Sequence, residues 1–242
     1  MIEEIDGIIV YESDYSETSK ILQVLTPKYG LISVLSKGCK RIKSDLRSVS
    51  NKLVYGKFNI VYKENKLSTL ISVDVINRFK NILNDMEKIS YASFLLELSY
   101  QVSKQNFNRL VYDFLISGLI KIDNNFDALA ITNIIELKYL DLLGVMPCLD
   151  ACVGCGSKNN IVTISSYKGG YLCHKCMGNE KIVDEKTIKL LRMFYYVDID
   201  KIEKLNISDK NKYEINTFID EYYDRYTGLY LKSKAFIKLI ES

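Results

Sequence analysis

The sequence is poor in histidine and cysteine and has no long apolar run, and each shortage removes a class of protein. One histidine, His174, occurs in 242 residues. It is followed by Lys175 and Cys176, so the His-x-Glu motif of zinc nucleobase deaminases is missing. Three residues, where two are needed, separate Cys148 of Pro147-Cys148 from Cys152, which also breaks the Pro-Cys-x-x-Cys half of that signature. Haem attachment needs a histidine directly after a Cys-x-x-Cys pair, and Met177 occupies that place. Six cysteines in a chain of this length are too few for a secreted disulfide scaffold, which favours a reducing, cytoplasmic setting. No window approaches eighteen uninterrupted apolar residues, and MIEEIDGIIVYESDYSE is acidic where a signal peptide is basic. We expect no membrane insertion. There is no P-loop, no dinucleotide-binding glycine fingerprint and no pairing of nucleophile with base, so no enzymatic activity is expected. No repeat of about 20 to 50 residues is seen either.

What the sequence does contain is enough apolar material, 48%, for one large or two to three small cores. Its net charge of +3 conceals an uneven distribution. Residues 1–36 hold two Lys against six acids, residues 37–80 hold eleven Lys or Arg against three acids, and residues 81–145 hold five basic against eight acidic side chains. A basic block inside a nearly neutral chain points to a local surface for a polyanion.

The runs GIIVYES, KILQVLT, GLISVLS, GKFNIVYKE and LSTLISVDV are short, rich in Ile, Val, Leu and Tyr, and bounded by turn residues, as strands are. Their number and spacing predict a small barrel, and a five-stranded oligonucleotide-binding barrel, or OB-fold, fits the length. After Asn84 the apolar period becomes helical. Helices are expected over NDMEKISYASFLLELSYQVSK, NRLVYDFLISGLIKI and FDALAITNIIELKYLDLLG, with Gly144 as C-terminal cap and Pro147 just beyond. A further helix should open at Asp184, and a final one should run from Asn211 to the end of the chain.

Between these helices lies CVGCGSKNNIVTISSYKGGYLCHKC. Cys152, Cys155, Cys173 and Cys176 form two Cys-x-x-Cys pairs, the arrangement of a tetrahedral Zn2+ site. Four thiolates fill the coordination sphere of the ion and leave no position at which a water is activated, so the site should be structural. Gly156, Gly169 and Gly170 supply the positive φ that such turns need. A thioredoxin-like redox pair would sit beside a βαβ unit, for which there is no signal. His174 is read as a surface residue between two ligands, and Cys148 as a small buried apolar one. Cys39 has no local thiol to pair with.

The second constellation is KGCKRIKSDLRS, which sets Lys37, Lys40, Arg41, Lys43 and Arg47 directly after a strand. On a solvated turn these are ordinary surface cations. On a small barrel they are suited to neutralising a nucleic-acid backbone without reading its bases. Tyr11, Tyr15, Tyr29, Tyr55, Tyr62 and Phe58 of the same region are able to stack bases or simply to pack.

GIIVYESDYSETSKILQVLTPKYGLISVLSKGCKRIKSDLRS resembles the N-terminal barrel of the RecO recombination mediators. LLGVMPCLDACVGCG with KGGYLCHKC resembles the zinc module of the zinc-bearing members of that family, and TGLYLKSKAFIKLI their closing helix. Ser36 and Cys39 stand where small alanines are usual. The resemblance implies an α+β multidomain protein: an N-terminal OB-fold barrel over 1–80 that binds DNA, a helical domain over 81–147, a four-cysteine zinc-binding module over 148–180 and C-terminal helices over 181–242 packed on the helical domain. It implies a nucleoid-associated mediator of DNA repair that binds single- and double-stranded DNA, anneals strands and, with RecR, helps load RecA onto DNA coated by single-strand DNA-binding protein. It also implies that the helical region receives the tail of single-strand DNA-binding protein, for which Arg109 and Lys121 are the local cations. The alternatives from the residues themselves are a metal-dependent nuclease using Asp6, Glu12, Asp14 and Glu17, and a zinc-ribbon adapter for RNA.

Overall fold

A computed structural model describes residues 1–105, 107–234 and 237. By contacts the chain forms two compact units. The first comprises Met1–Asn124 and returns from Leu231 onward, and the second is Asn125–Tyr230.

The first unit begins with β1 (Ile2–Tyr15), β2 (Ser19–Thr26), β3 (Gly30–Ser36), β4 (Tyr55–Val61) and β5 (Ser68–Asn77). Each covers all or most of one of the five expected runs, β4 stopping three residues short of the end of GKFNIVYKE and β5 starting one residue into LSTLISVDV. They close into a barrel in the order β1-β2-β3-β5-β4, with β1 antiparallel to both β2 and β4 and a short parallel contact of β3 with β5 at Val34↔Ser68. This is the OB-fold, as expected. Inside lie Ile5, Ile9, Leu22, Val24, Val34, Phe58, Ile60 and Leu70. Successive strand residues normally alternate faces, yet Ile8, Ile9 and Val10 are all buried. A β-bulge between Ile9 and Tyr11 slips the alternation and turns Tyr11 outward.

Closure requires β1 to change partners. It pairs with β4 through Ile2–Ile8 and with β2 through Ile8–Tyr15. At the bend Gly7 lies opposite Gly56. A Cβ on Gly7 would meet Val24 Cγ1 at 2.6 Å, and one on Gly56 would meet the carbonyl oxygen of Asp74 at 2.5 Å. A side chain at position 7 is thus blocked by the packed Val24 methyl, and one at position 56 by the backbone of the neighbouring strand.

Three helices follow: α1 (Lys80–Leu83), α2 (Met86–Gln105) and α3 (Arg109–Asp123). Asn108 caps α3 by accepting the Leu110 N–H at 2.9 Å. Asp123 ties the end of α3 to α1 by accepting the N–H groups of Asn81 and Ile82. In the same unit, Glu97 of α2 accepts the backbone N–H groups of Lys232 and Ser233.

The second unit is built on α4 (Ala128–Leu142), which buries residues on all sides and contacts both α5 (Glu185–Tyr196) and α6 (Asp209–Tyr226). α4 ends one residue from the expected cap: Leu143 is the cap and Gly144 follows it with φ +73°, and the Gly144 and Val145 N–H groups bond back to Asp141 and Leu140. Asp184 caps α5 by accepting the Lys186 N–H at 2.8 Å. The hairpin of β6 (Ile161–Ser165) and β7 (Gly170–Cys173) lies between these helices in sequence. The expectation of one helix from Asn211 onward is corrected: α6 stops at Tyr226. There Thr227 Oγ1 bonds the Tyr223 carbonyl at 2.8 Å and Gly228 turns to φ +62°. The remainder of the expected helix, beyond Lys234 and apart from Ile237, lies outside the described residues.

Gly56→Ala forces a Cβ against a backbone oxygen that moves only if the β4–β5 ladder shifts. We expect it to lower stability by about 1–3 kcal/mol, read as a lower denaturant midpoint; an unchanged midpoint would show the closure to be looser than described.

Candidate metal centre and basic barrel surface

The four cysteines of the expected set come together, with one Sγ from each lying within 4.8 Å of the others. Two backbone knuckles place them. In the first, the Gly156 N–H donates to the Cys152 carbonyl at 2.8 Å and the Cys152 N–H to the Ser157 carbonyl at 2.8 Å. In the second, the Cys176 and Met177 N–H groups both donate to the Cys173 carbonyl. The N–H of Cys173 donates to Cys152 Sγ at 3.3 Å, joining the two. Gly154 has no room for a side chain, since a Cβ there would stand 3.0 Å from Cys176 Sγ. Gly156, Gly169 and Gly170 all take positive φ.

Electrostatics prepares these sulfurs for a cation. Burial opposes ionisation of Cys152, but the N–H groups of Cys173, Gly154 and Cys155 outweigh it and bring its pKa down to about 6. Cys176 is pushed up to about 12 by its contacts with Cys155, Cys173 and Cys152, which favour the thiol. Cysteine binds a metal ion as thiolate, so occupation of such a site is favoured as pH rises. The four residues could hold one such ion.

The hairpin is fixed to its own unit by polar contacts. The Tyr171 hydroxyl donates to the Ile188 carbonyl of α5, Ser166 Oγ to Glu221 of α6, and the Tyr226 hydroxyl to the Tyr167 carbonyl. His174 is exposed and takes no place among the four sulfurs. Cys148 is corrected from buried to exposed. Its backbone pairs with the hairpin and its thiol is left outside: Cys148 N–H donates to Gly169 and its carbonyl accepts from Tyr171. A Cβ on Gly170 would meet that carbonyl oxygen at 2.3 Å.

The basic segment forms the β3–β4 connection of the barrel. Lys37, Arg41, Lys43 and Arg47 are exposed. Lys40 is half-buried and bonded to Asp14 at 2.7 Å. The loop is held in place by successive turns, with N–H groups of Arg41, Ser44 and Arg47 donating to Gly38, Arg41 and Ser44. Cys39 is buried beneath it at 2% exposure, Leu46 packs on the barrel core, and Ser36 and Ser50 share a hydroxyl bond of 2.7 Å across its base.

The four carboxylates weighed for a nuclease are placed separately. Glu12 is bonded to Lys20 at 3.0 Å and Asp14 to Lys40, while Asp6 and Glu17 are exposed. Among the described residues the one group of three or more potential metal ligands is the cysteine set. Arg109 sits 3.4 Å from Asp113 on its own helix, and Lys121 is half-buried. The aromatic residues divide: Phe58 is wholly buried and Tyr55 stacks on Phe79 at 6.2 Å, whereas Tyr11, Tyr29 and Tyr62 line a cleft outside the barrel. Tyr100 of α2 completes that cleft, and nothing in the sequence marked it. Among the described residues no helix is long and apolar enough to cross a membrane.

Comparison with known proteins covers the same ground. Residues 1–79 match the family described as Recombination protein O N terminal, and residues 83–235 the one described as Recombination protein O C terminal. The chain is 32% identical over its whole length to the DNA repair protein RecO of Bacillus subtilis (strain 168), covering 96% of that protein. It is 32% identical over 98% of its length to the DNA repair protein RecO of Listeria innocua serovar 6a, covering 94% of it. With Bacillus cytotoxicus DNA repair protein RecO the identity is 31% over the whole chain and 98% of the relative. An OB-fold followed by helices and a four-cysteine hairpin, matched from end to end by these relatives, places the chain in the recombination protein O family.

Proposed function

We propose that the protein is a mediator of DNA repair and recombination that binds single- and double-stranded DNA, anneals complementary strands and, with RecR, helps load RecA onto DNA coated by single-strand DNA-binding protein. The observation that carries this reading is the relationship over the full chain to proteins named DNA repair protein RecO. The basic β3–β4 loop supports it. Lys37, Arg41, Lys43 and Arg47 are exposed on a loop whose backbone is held by successive turns, which leaves their charges open to phosphates. Lys40 is already committed to Asp14 and contributes less. The protein acts at the nucleoid in the cytoplasm. The tail of single-strand DNA-binding protein is assigned to the helical region of about residues 84–143, where apolar anchoring must supply most of the attraction, since Arg109 is already paired with Asp113.

The ion we assign to Cys152, Cys155, Cys173 and Cys176 is one zinc. A tetrahedron of sulfurs about 2.3 Å from zinc has edges of about 3.8 Å, and Cys155 and Cys173 Sγ are 3.7 Å apart. When bound, it would cross-link the two knuckles around a small buried cluster of Cys152, Leu172 and Cys173. Metal analysis of reduced, freshly purified protein should give close to one zinc per chain. Cys152→Ser should bring it near zero and lower Tm by several degrees, and acidification should release the metal because the ligands must be thiolates. Zinc well below one per chain in the unaltered protein overturns the assignment.

Four loop cations neutralising a single strand give a slope of log affinity against log salt of about −2.8, at about −0.7 per contact. Replacing Arg41, Lys43 and Arg47 with Glu together should flatten that slope, weaken binding by at least tenfold and abolish annealing in the presence of single-strand DNA-binding protein. Folding stability should change by less than about 1 kcal/mol, since exposed charges contribute little to it. Full affinity with an unchanged slope would place the DNA elsewhere, and cleavage of labelled DNA with magnesium would replace the mediator by a nuclease.

A further inference from the structure

We infer that a cation-lined pocket at one end of the barrel takes a nucleoside phosphomonoester, the group carried by a phosphorylated strand end or by a free nucleotide. The strand end as its source rests on the DNA-binding reading above, whereas the pocket itself is tested without it.

The pocket lies where β4 begins and β5 ends, at the opposite end of these strands from the turn that joins them, and no residue of β1, β2 or β3 lines it. Its volume is about 340 Å³, at the small end of ligand sites. Lys52 reaches it from the β3–β4 connection, and Arg78 and Lys80 from the junction of β5 with α1. All three are exposed and no carboxylate lines the pocket. Lys20, Lys28, Lys40 and Lys57 of the same barrel each hold a carboxylate, but among the described residues none of these three cations does. Lys52 has only the ring of Tyr11, 5.6 Å away, a weaker partner than a charged oxygen.

The backbone holds the cations in place at some cost. Leu53 and Phe79, each next to one or two of them in sequence, have left-handed conformations with φ of +71° and +44°, which strain a bulky side chain. Both are pinned there. The Leu53 N–H donates to the Ile9 carbonyl at 3.0 Å and the Phe79 N–H to Asn77 Oδ1 at 2.8 Å, while the Phe79 ring is wholly buried and stacks on Tyr55. Strain of this kind persists where the surrounding fold over-determines it, and ligand sites are where it gathers. Asn77 also lines the pocket, and the bond from Phe79 uses its oxygen while leaving its N–H groups for an acceptor. Leu53, Val54, Val75 and Leu83 add apolar wall, with Leu83 still 53% exposed. Cations beside apolar side chains suit a ligand that joins a phosphate to a sugar and base.

Charge selects the monoester. A phosphodiester inside a strand carries one negative charge, and successive diesters call for a row of cations such as the basic loop provides. A phosphomonoester concentrates about −1.5 to −2 on one phosphorus at neutral pH, with a second pKa of about 6. Three cations sharing one small pocket match that concentration, and the Arg78 guanidinium can grip two of its oxygens at once.

The test compares strands of one sequence that end in a 5′-phosphate or a 5′-hydroxyl, with thymidine 5′-monophosphate as a probe that has no strand. Near neutral pH the native protein should bind the phosphate-ended strand roughly tenfold more tightly, as one hydrogen bond between charged groups allows. That preference should shrink at about pH 5, where the monoester has lost its second charge and Lys and Arg keep theirs. Arg78→Ala with Lys80→Ala should abolish the preference and leave affinity for the hydroxyl-ended strand within about twofold of native, because its other backbone contacts remain. Replacing Arg41, Lys43 and Arg47 with Glu should instead weaken both strands and keep their ratio. Competition by the monophosphate at micromolar concentration identifies the free nucleotide as the ligand, and competition only at millimolar concentration identifies the strand end. Equal affinity for the two ends, with no binding of the monophosphate, overturns the pocket and leaves the DNA-binding reading intact. If the native protein binds neither strand but takes the monophosphate, and the Arg78 and Lys80 variant does not, the DNA-binding reading fails and the pocket stands.

Discussion

The architecture of the first unit depends on one strand hydrogen-bonding along both of its edges. β1 gives its first half to β4 and its second half to β2, and the barrel exists because the exchange occurs without a gap at Ile8. The bend has two consequences beyond closure. It requires glycine at positions 7 and 56, where a Cβ would meet the Val24 side chain and the Asp74 carbonyl oxygen respectively, and it places the bulge that turns Tyr11 to the outside. The β3–β4 loop is bound to the same strand, because the Ile9 N–H donates to the Val54 carbonyl and the Leu53 N–H to that of Ile9. Core, loop and cleft are therefore positioned by a single element.

The second unit solves a different problem. Its cysteine hairpin has too few buried residues to be a core in its own right. It relies on sulfur geometry within and on hydroxyl-to-carbonyl bonds without, from Tyr171 to α5 and from Tyr226 back to Tyr167. The strand that carries Cys173 is also the strand that carries Tyr171, so the local order of the sulfurs and the attachment to α5 are coupled over two residues.

Much of this was legible in the sequence because it is encoded locally. The five strand runs are delimited by their own turn residues, Gly144 turns the chain out of one helix and Asp184 caps another, and the cysteine spacing directly specifies two knuckles. What was not legible is encoded at a distance. Lys40 reads as a free cation until Asp14, twenty-six positions earlier, is brought to it by β1 and β2. Tyr100 follows an ordinary helical stripe, and only the packing of α2 on the barrel makes it part of a cleft. Cys148 looked apolar and buried by residue type, but its backbone takes up the pairing with Gly170 and directs the thiol outward. The helical period also runs smoothly through Gly228, where the chain in fact leaves the helix. Contacts divide the chain after Asn124, within a region that periodicity presents as continuous.

The return of the chain to its first unit sets an order of events during synthesis. The barrel strands are contiguous in sequence, so they can pair as soon as residue 77 has cleared the ribosome. Glu97, however, waits for amides 135 and 136 residues downstream. At roughly 5–20 residues per second, its carboxylate stays without those amides for about 7 to 27 s. Throughout that interval the whole second unit is being made, so the contacts of α2 with the returning chain are the last that the first unit can form.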